Sequence, residues 1–189
     1  MPSGRFPSLF VMRVISGTHK GRRLEAPGWE GLRPTSDKLR ETLFNVLGAS
    51  IPGARVLDAY AGTGAVGIEA LSRGAAHVTF IDVDPRALAL IRRNLDRCGV
   101  ESGYAIIRAN LSGAAAPPAQ APFDLIFLDP PYQFDSADAV RVAGRWLASD
   151  GLLVLEHARR RIVADQVDAL VRVRGIVSGD SALALYRHG

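Results

Sequence analysis

From Pro52 to the C-terminus, short apolar runs alternate with stretches of helical periodicity, and that alternation leaves the chain few possible folds. Arg55-Val56-Leu57, His77 to Ile81, Tyr104 to Arg108, Leu125 to Leu128 and Leu152 to Leu155 read as strands. Ala65 to Arg73, Arg86 to Cys98, Ser136 to Ala148 and Ile162 to Leu170 read as helices, with Asp84-Pro85 supplying a cap and a first-turn proline for the second. Strands joined through helices run parallel by right-handed crossovers, and their sheet is covered on both faces. Val171 to Val177 and Ala182 to Tyr186 flank Ser178-Gly179-Asp180 and predict an antiparallel hairpin at one edge. The expectation is an α/β, doubly wound, Rossmann-like sheet, mostly parallel, spanning residues 51–189.

The first fifth of the chain differs. Residues 1–11 show no periodicity and are set apart as an extension. Met12 to Leu24 reads as a hairpin whose tip, Gly17-Thr18-His19-Lys20-Gly21, is basic. Ser36 to Leu47 predicts a helix with Leu39, Leu43, Val46 and Leu47 in one apolar stripe. Asp37, Arg40, Glu41 and Phe44 fall on another face, which suits either solvent with an ion pair or a functional surface. Residues 1–40 hold eight Lys/Arg against three acidic residues, a charge of +5, while residues 41–189 carry −1, so the whole net charge of +4 originates there. Such a concentration points to a polyanion, with a solvated basic arm as the bland alternative. Residues 12–50 therefore read as a basic recognition segment.

Composition excludes several classes. No apolar run approaches the roughly 20 residues of a membrane span, and residues 1–11 lack the blocks of a signal peptide. The single cysteine, Cys98, cannot form an internal disulfide and fits a reducing cytoplasm. His19, His77, His157 and His188 lack metal-ligand spacing, so no metal is expected.

After the first strand, Gly62, Gly64 and Gly67 match G-x-G-x-x-G, and Asp82 ends the second strand. Asp58 stands before these glycines, where its charge would repel a pyrophosphate but suits the amino group of a methionine-like ligand beside a sulfonium. Asp82 can accept a pair of ribose hydroxyls. This donor set favours S-adenosylmethionine over NAD, with Asp58, Ala59, Tyr60, Gly62, Gly64, Asp82, Val83, Asn110 and Leu111 as candidate cofactor residues.

Asp129-Pro130-Pro131-Tyr132 follows the apolar run Leu125 to Leu128. Two prolines fix φ and remove two donors, which makes a rigid turn at a strand's carboxyl end. Open α/β sheets bind ligands at that edge. Asp129 and the Pro130 carbonyl could each accept one N–H of an exocyclic amine, turning its lone pair towards a methyl donor, while Tyr132 stacks on the base. Asp129, Pro130, Pro131 and Tyr132 are the candidate catalytic residues. Methylating a pyrimidine carbon needs a thiol near the substrate, and this loop has none.

These motifs resemble the RsmD family of bacterial small-subunit rRNA guanine methyltransferases. The resemblance runs from Met12 to Tyr186 through Arg13-Val14-Ile15-Ser16-Gly17, Lys20-Gly21-Arg22-Arg23-Leu24, Arg33-Pro34-Thr35, Arg40-Glu41-Thr42-Leu43-Phe44-Asn45, the glycine loop and Asp129 to Tyr132. It implies S-adenosylmethionine-dependent methylation of a guanine 2-amino group in 16S rRNA, within a small ribosomal subunit or its assembly intermediate, by a cytoplasmic monomer. Arg13, His19, Lys20, Arg22, Arg23, Arg33, Thr35, Lys38 and Arg40 are the candidate RNA contacts. A small basic arm supplies phosphate contacts but little base readout, which favours a pre-shaped RNA target. A DNA adenine or protein glutamine methyltransferase, or an inactive RNA-binding assembly factor, remains the alternative.

Overall fold

The computed structural model describes residues 12–29, 37–111, 117–131 and 134–189. Among them, eight strands form one sheet in the order β3-β2-β1-β4-β5-β8-β7-β6. β1 (Arg55–Ala59), β2 (His77–Asp82), β3 (Tyr104–Arg108), β4 (Phe123–Leu128) and β5 (Leu147–Ala158) are parallel neighbours. β6 (Gln166–Val167), β7 (Leu170–Ser178) and β8 (Ser181–His188) extend the sheet antiparallel from β5. The strand order reverses between β1 and β4, so the crevice at their carboxyl ends is the topological switch point.

Among the described residues, four α-helices cover the sheet: α1 (Asp37–Leu47), α2 (Ala65–Ser72), α3 (Pro85–Cys98) and α4 (Ser136–Gly144). Alternation along each strand divides the core in two. Val56, Phe80, Phe127 and Val154 pack with Leu39, Ile68 and Ile91 of α1, α2 and α3. Leu57, Ile126, Leu128 and Leu155 pack with Ala139, Val140 and Ala143 of α4. α3 begins as its sequence dictates, with Asp84 accepting from Arg86 N at 2.8 Å and proline at the first position.

The Met12–Leu24 segment is a hairpin reduced to a single bridge, Arg13↔Arg23. Met12, Val14 and Leu24 are buried in the same cluster as the strands. Glu69 of α2, fully buried, accepts from Ile15 N at 2.7 Å, from Ser16 N at 3.0 Å and from Arg73 at 2.7 Å. Asn94 of α3 accepts from Glu25 N at 2.7 Å and donates to Thr63 O at 2.9 Å. The hairpin is thus bolted to the helices along its length.

Three expectations change. Ile162 to Leu170 is not a helix: Asp168 adopts φ 51° and, with Ala169, turns β6 back onto β7 through the pair Val167↔Leu170. Val163, Val167 and Leu170 are buried at a spacing that imitates a helix stripe, while Ile162 is 96% exposed. The helix expected to reach Ala148 ends at Gly144, where an added Cβ would lie 2.6 Å from Leu170. Leu147 then pairs with Phe123, which lengthens β5 at its start. Arg40, an expected RNA contact, is fully buried, bonded to Arg13 O at 2.8 Å and to Asp37 at 2.6 Å. It ties α1 to the hairpin from inside.

Candidate active site

β1 delivers Asp58 and Ala59 to the switch point, and the chain then turns sharply. Tyr60 holds φ 60°, a left-handed conformation costly for a residue with a side chain, and such strain concentrates at ligand sites. Asp82, at the end of β2, accepts from Gly62 N and from Asp84 N, each at 2.9 Å. One carboxylate therefore clamps the glycine loop. Asp58, 4% exposed, accepts from Gly67 N at 2.8 Å in the first turn of α2. Gly67 must be glycine because an added Cβ would stand 2.3 Å from the buried Phe80 ring. α2 can approach the sheet only in this way.

Burial pushes the Asp58 carboxyl up to about 7, against the lowering effect of the Gly67 N–H and with a further push from Asp82. The Gly67 donor, which a phosphate would need, is already taken by a carboxylate. The donor set fits a cationic methionine-like ligand and not a pyrophosphate. Val83, 53% exposed, adds apolar surface beside Asp82. Asn110 is exposed after β3, whereas the Leu111 side chain is committed to the α4-side core.

β4 delivers Asp129 one residue past Leu128. The register Ala59↔Leu128↔Leu155 continues as Tyr60, Asp129 and Glu156, which form a rim across three strands. By alternation Asp58, Asp129 and Glu156 share the face of Val56, Phe127 and Val154. Asp129 is open at the rim by surface area, yet protein crowds it from most directions. That desolvation first, then the charges of Glu156 and Asp58, holds its carboxyl well above the usual range. Among the described residues, no hydrogen bond reaches the Asp129 carboxylate.

Three contacts hold Phe134. Phe134 N donates to Pro131 O at 2.9 Å, and Arg161 donates to Phe134 O at 2.7 Å. The Phe134 ring lies 6.4 Å from that of Tyr60, joining this loop to the glycine loop. Behind the loop, Asp129, Pro130, Ser136, Glu156, His157 and Arg161 line a cavity of about 20 Å³. It has room for a water and is too small for a base.

The fold thus brings Asp58, Ala59, Tyr60, Gly62, Gly64, Asp82, Val83, Asp129, Pro130 and Pro131 to one edge. Tyr132, Arg33 and Thr35 lie outside the described residues. Arg13, Lys20, Arg22, Arg23 and Lys38 are exposed, and His19 is half-buried. The hairpin root meets the glycine loop, with Thr63 against Met12, while its tip bonds Ser72 through Thr18 N at 2.8 Å. Lys20 and His19 therefore sit beside the far end of α2, about 12 Å along its axis. Sequence reasoning missed Glu156, His157 and Arg161. Their signal was position, since Glu156-His157 falls at the carboxyl end of a strand next to β4.

The family described as "Conserved hypothetical protein 95" matches residues 12–187. The "Ribosomal RNA small subunit methyltransferase D" of Haemophilus influenzae is 38% identical over 150 residues, 77% of this chain and 78% of that protein. Its namesake in Escherichia coli K12 is 37% identical over 149 residues, 77% of this chain and 74% of that protein. The solved structure "Putative methyltransferase yhhF from Escherichia coli" superposes with a TM-score of 0.81 at 33% identity, covering 93% of this chain and 97% of that one. With a family match across nearly the whole chain and relatives of this identity, the chain belongs to the RsmD family of methyltransferases.

Proposed function

We propose that the chain methylates the exocyclic 2-amino group of a guanine in 16S rRNA, on an assembled or assembling small ribosomal subunit, with S-adenosylmethionine as the methyl donor. The observation that carries this reading is the pairing of two loops across β1 and β4. One is a glycine loop closed by Asp58 and Asp82, the other a proline-stiffened turn that leaves the Asp129 carboxylate open at the same rim. The relatives named for small-subunit rRNA support the substrate class.

Asp58, Gly62, Gly64, Asp82 and Val83 would hold the cofactor, which supplies an electrophilic methyl group. The lone pair of an aryl amine is delocalised into its ring, so the chain has to redirect it. Asp129 and the Pro130 carbonyl accept the two N–H groups, orient the nitrogen and stabilise the positive charge that develops on it. Fixing that geometry is the larger part of the catalysis. Cys98 is buried in α3, and burial raises its thiol, so no thiolate serves a carbon target. Arg13, Lys20, Arg22, Arg23 and Lys38 would meet RNA phosphates.

Mass spectrometry of 16S rRNA from cells with and without the protein tests the reading. The expected result is one methylated guanine that disappears without the protein and is restored on purified subunits with labelled cofactor. Label entering DNA or a protein instead, with subunits unlabelled, overturns it.

A further inference from the structure

The mechanism leaves one proton unassigned. As the amine lone pair forms the new N–C bond, the S–C bonding pair returns to sulfur and the nitrogen keeps one hydrogen too many. Asp129 touches that nitrogen, but a carboxylate that keeps the proton cannot accept an N–H in the next cycle. We propose that Glu156 is the acceptor to which Asp129 passes this proton, through the cavity behind the loop, so that it leaves away from the bound base. Three observations support the assignment. Leu128↔Leu155 puts Asp129 and Glu156 in neighbouring register positions on parallel strands, and strands lie about 5 Å apart. Both side chains share one face of the sheet, with Asp58 beneath them. Both line the same small cavity, with room for one water to bridge them. His157 lines it too, but from the opposite alternation, and its Nδ1 lies 3.0 Å from Ala158 O.

Two carboxylates in adjacent register with little solvent between them do not both ionise freely, so the pair gives up its last proton at a higher pH than a lone carboxylate, while Arg161 and His157 line the same cavity. A cationic sulfur nearby displaces that proton, and a neutral thioether does not. The pair is therefore emptied when the donor binds and regains proton affinity when the sulfur loses its charge, at the moment the amine must release a proton.

This inference rests on the methyl-transfer reading, and calorimetry separates the two. Binding of S-adenosylmethionine and of S-adenosylhomocysteine is measured in buffers of different ionisation enthalpy. The wild-type chain is expected to release more protons with the first, by up to about one. The difference should vanish at high pH, where the pair is already ionised. Asp58 faces the ammonium common to both molecules and cancels. Glu156→Gln should remove most of the difference with cofactor affinity within about threefold, and should slow single-turnover transfer about tenfold to a hundredfold. Glu156→Asp, which keeps the charge, should restore most of both. If neither molecule binds, the function fails along with the inference. If both bind and Glu156→Gln keeps the full difference, or only His157→Asn removes it, the inference alone is overturned.

Discussion

The two loops at the switch point are built to opposite specifications. In the glycine loop every carboxylate is tied to backbone: Asp58 to Gly67, and Asp82 to Gly62 and Asp84. In the other loop the backbone is held, by Pro131–Phe134 and Arg161, while the Asp129 carboxylate accepts no hydrogen bond from the described residues. A loop that binds the same cofactor every cycle gains from acceptors already committed to its shape. A loop that must receive a substrate's N–H groups gains from an acceptor left open. Among the described residues Asp129 has no hydrogen-bonding partner, and this is the expected condition of a group whose partner arrives with the substrate.

The largest effect that can break this contrast is that of Asp129→Ala. Methyl transfer should fall at least about 10²–10³-fold in single turnover, with cofactor affinity within about threefold by calorimetry. An equal loss of cofactor affinity would mean that the loops do not divide the work. Gly67→Ala comes next, because the buried Phe80 ring cannot retreat from a Cβ at 2.3 Å. It should lower unfolding stability by about 1–3 kcal/mol in urea titrations and weaken cofactor binding with it. The equivalent insult at exposed Phe134, Phe134→Ala, should leave stability nearly unchanged.

Asp58→Asn should weaken cofactor binding about tenfold to a hundredfold, the usual scale for a hydrogen bond to a charged group. Its pH behaviour is the sharper test. The folded chain holds the Asp58 proton up to about pH 7, whereas an unfolded chain releases it near 3.8. The folded state thus binds more protons between those values, and this contribution to stability falls as pH rises through the window. Affinity for a cationic ligand should rise over the same approach to pH 7, and the Asp58→Asn substitution should flatten both trends. The smallest effect on either loop is expected from Arg22→Ala with Arg23→Ala. RNA binding should weaken and its logarithmic salt slope shrink by about one to two, while cofactor affinity holds.

All five expected parallel strands are present: β3, the half-buried edge strand, matches its expected bounds, Tyr104–Arg108, while β1, β2, β4 and β5 run past theirs. The placement of Asp58, Gly62, Gly64, Asp82 and Asp129 at strand ends and in the glycine loop was legible too, because strand-end patterns are local. The failures share one cause: neighbours distant in sequence decided the outcome. Val163, Val167 and Leu170 have helical spacing, but a left-handed Asp168 and pairing with β7 made them an edge hairpin. Arg40 looked like surface charge until Asp37 and the Arg13 carbonyl enclosed it. Glu156 and His157 carry no motif, and only the order β1-β4-β5 brings them behind Asp129.

Glu69 has a consequence for the order in which the chain can fold. Its carboxylate is the acceptor for Ile15 N and Ser16 N, yet it lies 54 and 53 positions downstream of them. During synthesis the Met12–Leu24 segment emerges with its apolar residues and no partner, and it stays uncommitted until α2 has followed it out. The Glu69 charge, buried beside Arg73, would then close this segment over the helix that starts at the glycine loop. The segment therefore settles only after a helix made later than itself, on a cofactor loop already in place.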